Sequence, residues 1–291
     1  MSDSRPFGRV RTLLEMIKFS HTVFAFPFAL MGATLASMKS GAAPTLGQIV
    51  WICLAMVGAR SGAMGLNRII DARIDAENPR TAGRHIPAGV VSTGEAWLFV
   101  LASFALLLVA AWMLNPLCFY LSPVALFFLA LYSFCKRFTA LAHIVLGICL
   151  GAAPVGAWIA LRGDVSWQVM ALGLAVLFWV AGFDVFYALQ DLDFDRDKGL
   201  HSIPVKLGVT RSLWLVRGFH VMMVFLLLLL PIGTGLGWIY LLGVVVVAGL
   251  LVYEHRLVKP DDLSKLDAAF FNMNGYVSVA IFFFTLVDAL T

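Results

Sequence analysis

Apolar runs of roughly 17 to 25 residues, the length that crosses a bilayer, recur along this chain at about 19–38, 47–66, 93–113, 116–134, 140–161, 166–187, 213–230, 236–254 and 270–290. With 61% of its residues hydrophobic and only 13% charged, the chain lies far outside the range of a water-soluble domain. Breaker residues separate the runs, at Gly41 to Pro44, Asn115-Pro116, Gly163-Asp164, Pro231 to Gly235 and Lys259-Pro260. The expectation is an all-α integral membrane bundle of nine transmembrane helices, a single domain over residues 1–291 without a low-complexity linker.

Charge then orients the bundle. Basic residues gather at the N-terminus, in the 67–92 loop, at Lys136 and Arg137, in the 196–217 loop and at Arg256, Lys259 and Lys265, whereas the alternate loops carry only Lys39 and Arg162. By the positive-inside rule the N-terminus faces the cytoplasm and, after nine crossings, the C-terminus lies outside, as expected for an inner (cytoplasmic) membrane protein. The net charge of +4 follows from that topology and implies no nucleic acid. A cleaved signal peptide is the alternative for Arg5 to Met38, but the run is long enough to span and the orientation needs it. Cys53, Cys118, Cys135 and Cys149 sit in or beside apolar runs with no CxxC spacing, so neither disulfides nor zinc are expected.

Two loops on the cytoplasmic side, 67–92 and 188–212, are longer than a connector needs. Each opens with acids at helical spacing. Asn67, Asp71 and Asp75 in "NRIIDARID" stand four residues apart, and Asp184, Tyr187, Asp191 and Asp195 in "DVFYALQDLDFD" follow at three, four and four. Each set falls on one helical face; Asp193 and Asp197 point off it. A carboxylate in hydrocarbon costs on the order of 3 kcal/mol, so the ladders must face a protein-lined cavity or the interface. Their mutual repulsion calls for cations. Mg²⁺ favours one or two carboxylates completed by phosphate oxygens and water, so two ladders facing each other suit a diphosphate between them, with the apolar interior taking a hydrocarbon tail.

These residues resemble the UbiA superfamily of intramembrane prenyltransferases over nearly the whole chain, in an NxxxDxxxD motif after the second span and a DxxYxxxDxxxD motif after the sixth. "RHIPAG", "YSFCKR" and "GLHSIPVKLG" are similar pieces, and "KFSHTVFAFPFAL" and "DRDKGLHSIP" look like the bacterial 4-hydroxybenzoate and menaquinone-pathway branch. The resemblance implies transfer of a polyprenyl group from a polyprenyl diphosphate to an aromatic hydroxy acid, 4-hydroxybenzoate foremost, in quinone biosynthesis. Lys18, Ser20 and His21 stand where the ubiquinone enzymes carry an Arg-and-Pro opening, which leaves a dihydroxynaphthoate of menaquinone biosynthesis as the alternative acceptor.

Carried onto this sequence, the resemblance implies that Asn67, Asp71, Asp75, Asp191 and Asp195 hold Mg²⁺ against the diphosphate. Lys136, Arg137 and Lys198 would contact the diphosphate itself, and Asp184 and Tyr187 would border the allylic cation and orient the acceptor. Arg60, seven residues before Asn67, either binds the acceptor carboxylate or pairs with ladder acids. His21 is an acceptor contact or a hydrogen-bonded filler, and Arg84 a cap over the site or a topological charge; Lys206 and Arg211 read as topological. The alternative of another class is an ion-coupled transporter, which would place its ionisable groups near the bilayer midplane; here they crowd toward span ends. A phosphotransferase acting on nucleotide-linked lipids would carry a D-G pair followed by an A-R pair, and no such run flanks either ladder. Prenylation of haem or a chlorophyll precursor is a further alternative within the superfamily. Tail length and oligomeric state are not encoded legibly.

Overall fold

The computed structural model describes residues 6–17, 25–259, 262–263, 266 and 273–291. Its helices are α1 (Pro6–Met16), α2 (Phe26–Ser40), α3 (Leu46–Ile70), α4 (Ala72–Glu77), α5 (Thr93–Leu114), α6 (Pro116–Cys135), α7 (Ala142–Arg162), α8 (Trp167–Ala188), α9 (Leu192–Asp197), α10 (Ile203–Leu229), α11 (Trp238–Leu257) and α12 (Asn274–Leu290), with a 3-10 turn over Leu189–Asp191 between α8 and α9. Their starts are set by local chemistry. Thr45 with Gln48 and Ser92 with Glu95 form capping boxes on α3 and α5, and Asn115, Ser166 and Ser202 each accept a backbone amide at the heads of α6, α8 and α10. Arg9 then reaches from α1 to Glu95 at 2.6 Å, fastening the N-terminal helix beside the head of α5.

Among the described residues, seven helices are long and apolar enough to cross a membrane: α3, α5, α6, α7, α8 with its continuation to Asp197, α10 and α11. The nine expected crossings are therefore seven by this measure. Within the described residues α2 has 15 residues and α12 has 17, because parts of the first and last expected runs lie outside the description. The 188–212 segment is also mostly helix rather than loop: α10 begins at Ile203 and passes a kink at Gly208, whose φ of 75° suits glycine.

In lipid the tails solvate apolar side chains as well as a neighbouring helix does, so close packing of small residues decides which helices touch. Gly147 and Gly151 of α7 lie against Leu177 and Gly173 of α8 so closely that a Cβ on either would strike an α8 carbonyl oxygen, and Gly32 of α2 meets Pro154 of α7 in the same way. Helix α8 becomes the spine, with Leu172, Val176, Trp179 and Val180 fully buried where it packs against α2, α7 and α10. The outer surface stays apolar: Leu98, Leu101, Val124 and Phe127 are exposed to the surrounding lipid. Exposed Trp112, Trp167 and Trp238 mark one end of the bundle, and Trp97 and Trp214 lie toward the other, the aromatic girdle expected at the two interfaces.

Candidate active site

Both acid ladders open into one cavity of about 150 Å³. The first wall is the end of α3. The helix breaks at Asp71, yet the Asp71 amide donates to the Asn67 carbonyl at 2.9 Å and the Asp75 amide to the Asp71 carbonyl at 2.8 Å. The four-residue register therefore runs through the joint, and all three side chains line the same cavity. Asn67 Nδ2 donates to Asp71 Oδ2 at 3.0 Å.

Each buried acid on this wall has its own cation. Asp71, 2% exposed, meets Lys136 Nζ at 2.7 Å and Arg137 Nη2 at 3.0 Å. Asp75, 3% exposed, takes Arg84 Nη1 on both oxygens at 2.7 Å. After α4 the chain turns tightly on Asn78, whose carbonyl accepts from Thr81 and Ala82, and that turn points Asn78 and Arg80 across the cavity.

The second wall starts on α8 with Asp184 and Tyr187 and crosses the 3-10 turn before reaching Asp195 on α9, so the second ladder is not the single helical face its spacing predicts. The shift tightens the chain by a fraction of a turn, and the four side chains still line the cavity. Asp191 accepts from Asn78 Nδ2 at 2.9 Å and from Arg80 Nε at 2.8 Å, with Arg80 Nη2 on its other oxygen. Arg80 Nη1 donates to the Tyr187 hydroxyl at 2.8 Å, and its guanidinium lies 5.0 Å from the centre of the Tyr187 ring. Asp184 pairs with His143 at 2.7 Å.

Several expected site residues sit elsewhere. Arg137 does not line the cavity; besides Asp71 it grips the backbone carbonyls of Ser133 and Ile70, at 2.9 and 2.8 Å, which makes it a brace behind the first wall. Lys198 also lies off the cavity and pairs with Glu77 at the surface, since the turn after α9 carries it outward. Arg60, about two turns below Asn67 on α3, does not line the cavity either. His21 lies outside the described residues. Lys136 and Arg84 do line it. Sequence reasoning passed over Asn78, Arg80, Thr81, Tyr132, Ser133, His143, His201 and Ser202, all on the cavity wall. Tyr132 had a signal, four residues before Lys136 and so on the same face of α6.

Among the described residues no three His, Cys, Asp or Glu side chains come close enough to hold a metal ion by themselves. The expected ligand set nevertheless suits a hard divalent cation completed by ligand oxygens: the carboxylates of Asp71, Asp75, Asp191 and Asp195 and the amide oxygen of Asn67, divided between two walls.

Residues 25–276 match the UbiA prenyltransferase family. The chain belongs to that family. As a UbiA prenyltransferase it is 32% identical over 242 residues to a protein of Vibrio cholerae named 4-hydroxybenzoate octaprenyltransferase, covering 82% of this chain and 83% of that one. The Vibrio campbellii protein of the same name is 29% identical over 285 residues, 97% and 93% of the two chains. Among solved structures, a UbiA homolog from Aeropyrum pernix K1 superposes with a TM-score of 0.83 at 35% identity, covering 92% of this chain and 98% of that one. A UbiA homolog from Archaeoglobus fulgidus bound to DMAPP and Mg²⁺ shares the fold with a TM-score of 0.72 at 19% identity, over 96% and 99% of the chains.

Proposed function

We propose that this UbiA prenyltransferase transfers a polyprenyl group from a polyprenyl diphosphate to an aromatic hydroxy acid, 4-hydroxybenzoate foremost, in quinone biosynthesis, with Mg²⁺ at the acid-lined cavity. The observation that carries this reading is the meeting of both acid ladders on one cavity at one end of an apolar bundle. The named relatives support 4-hydroxybenzoate as acceptor.

Asn67, Asp71 and Asp75 on one wall and Asp191 and Asp195 on the other would hold Mg²⁺. When bound there it supplies Lewis-acid neutralisation of the departing diphosphate, worth several kcal/mol. The cavity of about 150 Å³ is smaller than the roughly 300 Å³ of an ordinary ligand site, and cation–carboxylate pairs occupy its walls. Donor binding therefore exchanges partners: Lys136, Arg84 and Arg80, now on Asp71, Asp75 and Asp191, turn to the diphosphate oxygens with charge-assisted hydrogen bonds. Tyr187 and Asp184, nearer the apolar interior on α8, border the allylic cation. Asp184 receives the acceptor hydroxyl, so that the activated ring carbon faces the cation, and loss of the ring proton restores aromaticity.

Counting α2 and α12 with the seven long helices gives nine crossings, with the site at the cytoplasmic face of the inner membrane and the C-terminus outside. The α12 end supports this arrangement, since Asp288 accepts from the Gly237 and Tyr240 amides at the head of α11, away from the cavity. The test is transfer from labelled prenyl diphosphate to a panel of acceptors by the purified protein with and without Mg²⁺. Labelled prenyl 4-hydroxybenzoate formed only with Mg²⁺ is expected. Transfer to a dihydroxynaphthoate alone would move the acceptor to the menaquinone branch, and Mg²⁺-independent transfer would remove the metal role.

A further inference from the structure

His143 is used by no step above, yet it sits 4% exposed on the cavity wall, as the second residue of α7. Two hydrogen bonds fix its state. The backbone amide of Ile203, first residue of α10, lies 3.3 Å from Nε2. A backbone N–H can only donate, so Nε2 is the acceptor and carries no proton. The ring proton is then on Nδ1, which donates to Asp184 Oδ2 at 2.7 Å. The ring thus donates through Nδ1, and the carboxylate it faces is the acceptor.

The α7–α8 packing holds the pair in place. His143, Gly147 and Gly151 fall at four-residue intervals on one face of α7, and the two glycines bring that face onto Leu177 and Gly173 of α8. The imidazole thus has little room to leave Asp184, and Ile203 fixes its far nitrogen. The amide it satisfies is one of the orphan donors at the head of α10.

We infer that His143 is the positioning residue for Asp184: its Nδ1–H holds the carboxylate in one rotamer as a hydrogen-bond acceptor toward the aromatic acid, and Ile203 holds His143. The inference rests on the reading of Asp184 as the carboxylate that meets the acceptor. It predicts a defect in turnover and acceptor handling, with donor binding, governed by the other acids, left alone.

The experiment measures kcat and both KM values for prenyl transfer by the purified protein with Mg²⁺, in the wild type and in His143→Phe, His143→Asn, His143→Gln and Asp184→Asn. His143→Phe keeps a ring without a donor, and kcat should fall about tenfold to a hundredfold, the span of a hydrogen bond to a charged group, with the donor KM unchanged. His143→Asn places an amide N–H near the Nδ1 position and should recover most of that loss. His143→Gln reaches toward Ile203 and should not. Wild-type kcat in His143→Phe overturns the inference, and so does recovery in His143→Gln without recovery in His143→Asn, which would make the residue only a cap for α10. If His143→Phe fails to fold, the order of the Asn and Gln variants decides alone. Asp184→Asn separates the two levels: full turnover there removes the role of Asp184 itself, whereas a loss there beside a normal His143→Phe removes only the role of His143.

Discussion

The side chains of Asp71 and Asp75 are 3% and 5% exposed and are held by Lys136, Arg137 and Arg84, whereas those of Asp184 and Asp191 are 15% and 17% exposed and lean on His143 and Arg80. The first wall is a block of ion pairs built at the joint of α3 and α4 and braced from behind by the Arg137 contacts to Ile70 and Ser133. The second wall is interrupted by a 3-10 turn, and the groups that hold Asp191, Asn78 and Arg80, come from the loop after the first motif. Equal spacing in the sequence has thus yielded one wall set by buried ion pairs and one set by contacts that reach across the cavity.

Removing one acid from each wall puts that contrast under the greatest strain. Both Asp71→Ala and Asp191→Ala should lower prenyl transfer by about a thousandfold or more, the scale of a lost metal contact, while both proteins still insert. Their stabilities should differ. Asp71→Ala removes a buried carboxylate that holds two cations, Lys136 and Arg137, and should lower the thermal midpoint in detergent. Asp191→Ala releases a single cation, Arg80, which keeps its contact to the Tyr187 hydroxyl, and should move the midpoint far less. Equal midpoints would erase the distinction between the walls, and near-normal turnover in either variant would remove its metal role.

Arg80 joins the walls, so its loss should act on binding rather than on folding. Arg80→Ala removes the contacts to Asp191 and Tyr187 together and takes away a cation that is close enough to meet a diphosphate. The KM for polyprenyl diphosphate should rise about tenfold, as for one charge-assisted hydrogen bond, with the thermal midpoint close to that of the wild type. A lower KM would show instead that Arg80 competes with the donor for Asp191.

Which of these residues could be read in advance follows the range of the interaction that fixes them. Membrane class, the capped helix starts and both acid ladders depend on neighbours within about one turn, and the sequence displays them directly. Even the breaks at Asp71 and at the 3-10 turn leave the ladder residues on one cavity, because a tightened turn shifts a side chain by a fraction of its own spacing. Asn78, Arg80 and His143 are different: their partners lie from 41 to 113 positions away and depend on how a loop turns and on glycines that let α7 approach α8. Arg137 and Lys198 are the converse case. Both lie inside the similar pieces "YSFCKR" and "DRDKGLHSIP", but adjacent residues on a helix or turn point in different directions, and neither lines the cavity, although Arg137 reaches Asp71 from behind.

The smallest effect should come from Lys198, and it bears on the second wall because Lys198 follows Asp195 by only three residues. Lys198 and Glu77 form a surface pair with side chains 45% and 56% exposed, and the hydrogen bond from Lys198 holds the Glu77 carboxyl below its ordinary range. A group whose pKa is lowered on folding contributes stability above its unfolded pKa and loses it as the pH falls through the folded value, so the pair is fully formed at neutral pH. Exposed pairs of this kind contribute little and weaken with salt. Lys198→Ala should therefore change the donor KM by less than about threefold at any ionic strength, since a single exposed ion pair carries so little energy. A tenfold rise in KM would mean that the α9 turn swings Lys198 into the cavity when donor binds, and the second wall would then rearrange by a whole turn rather than by exchanging partners in place.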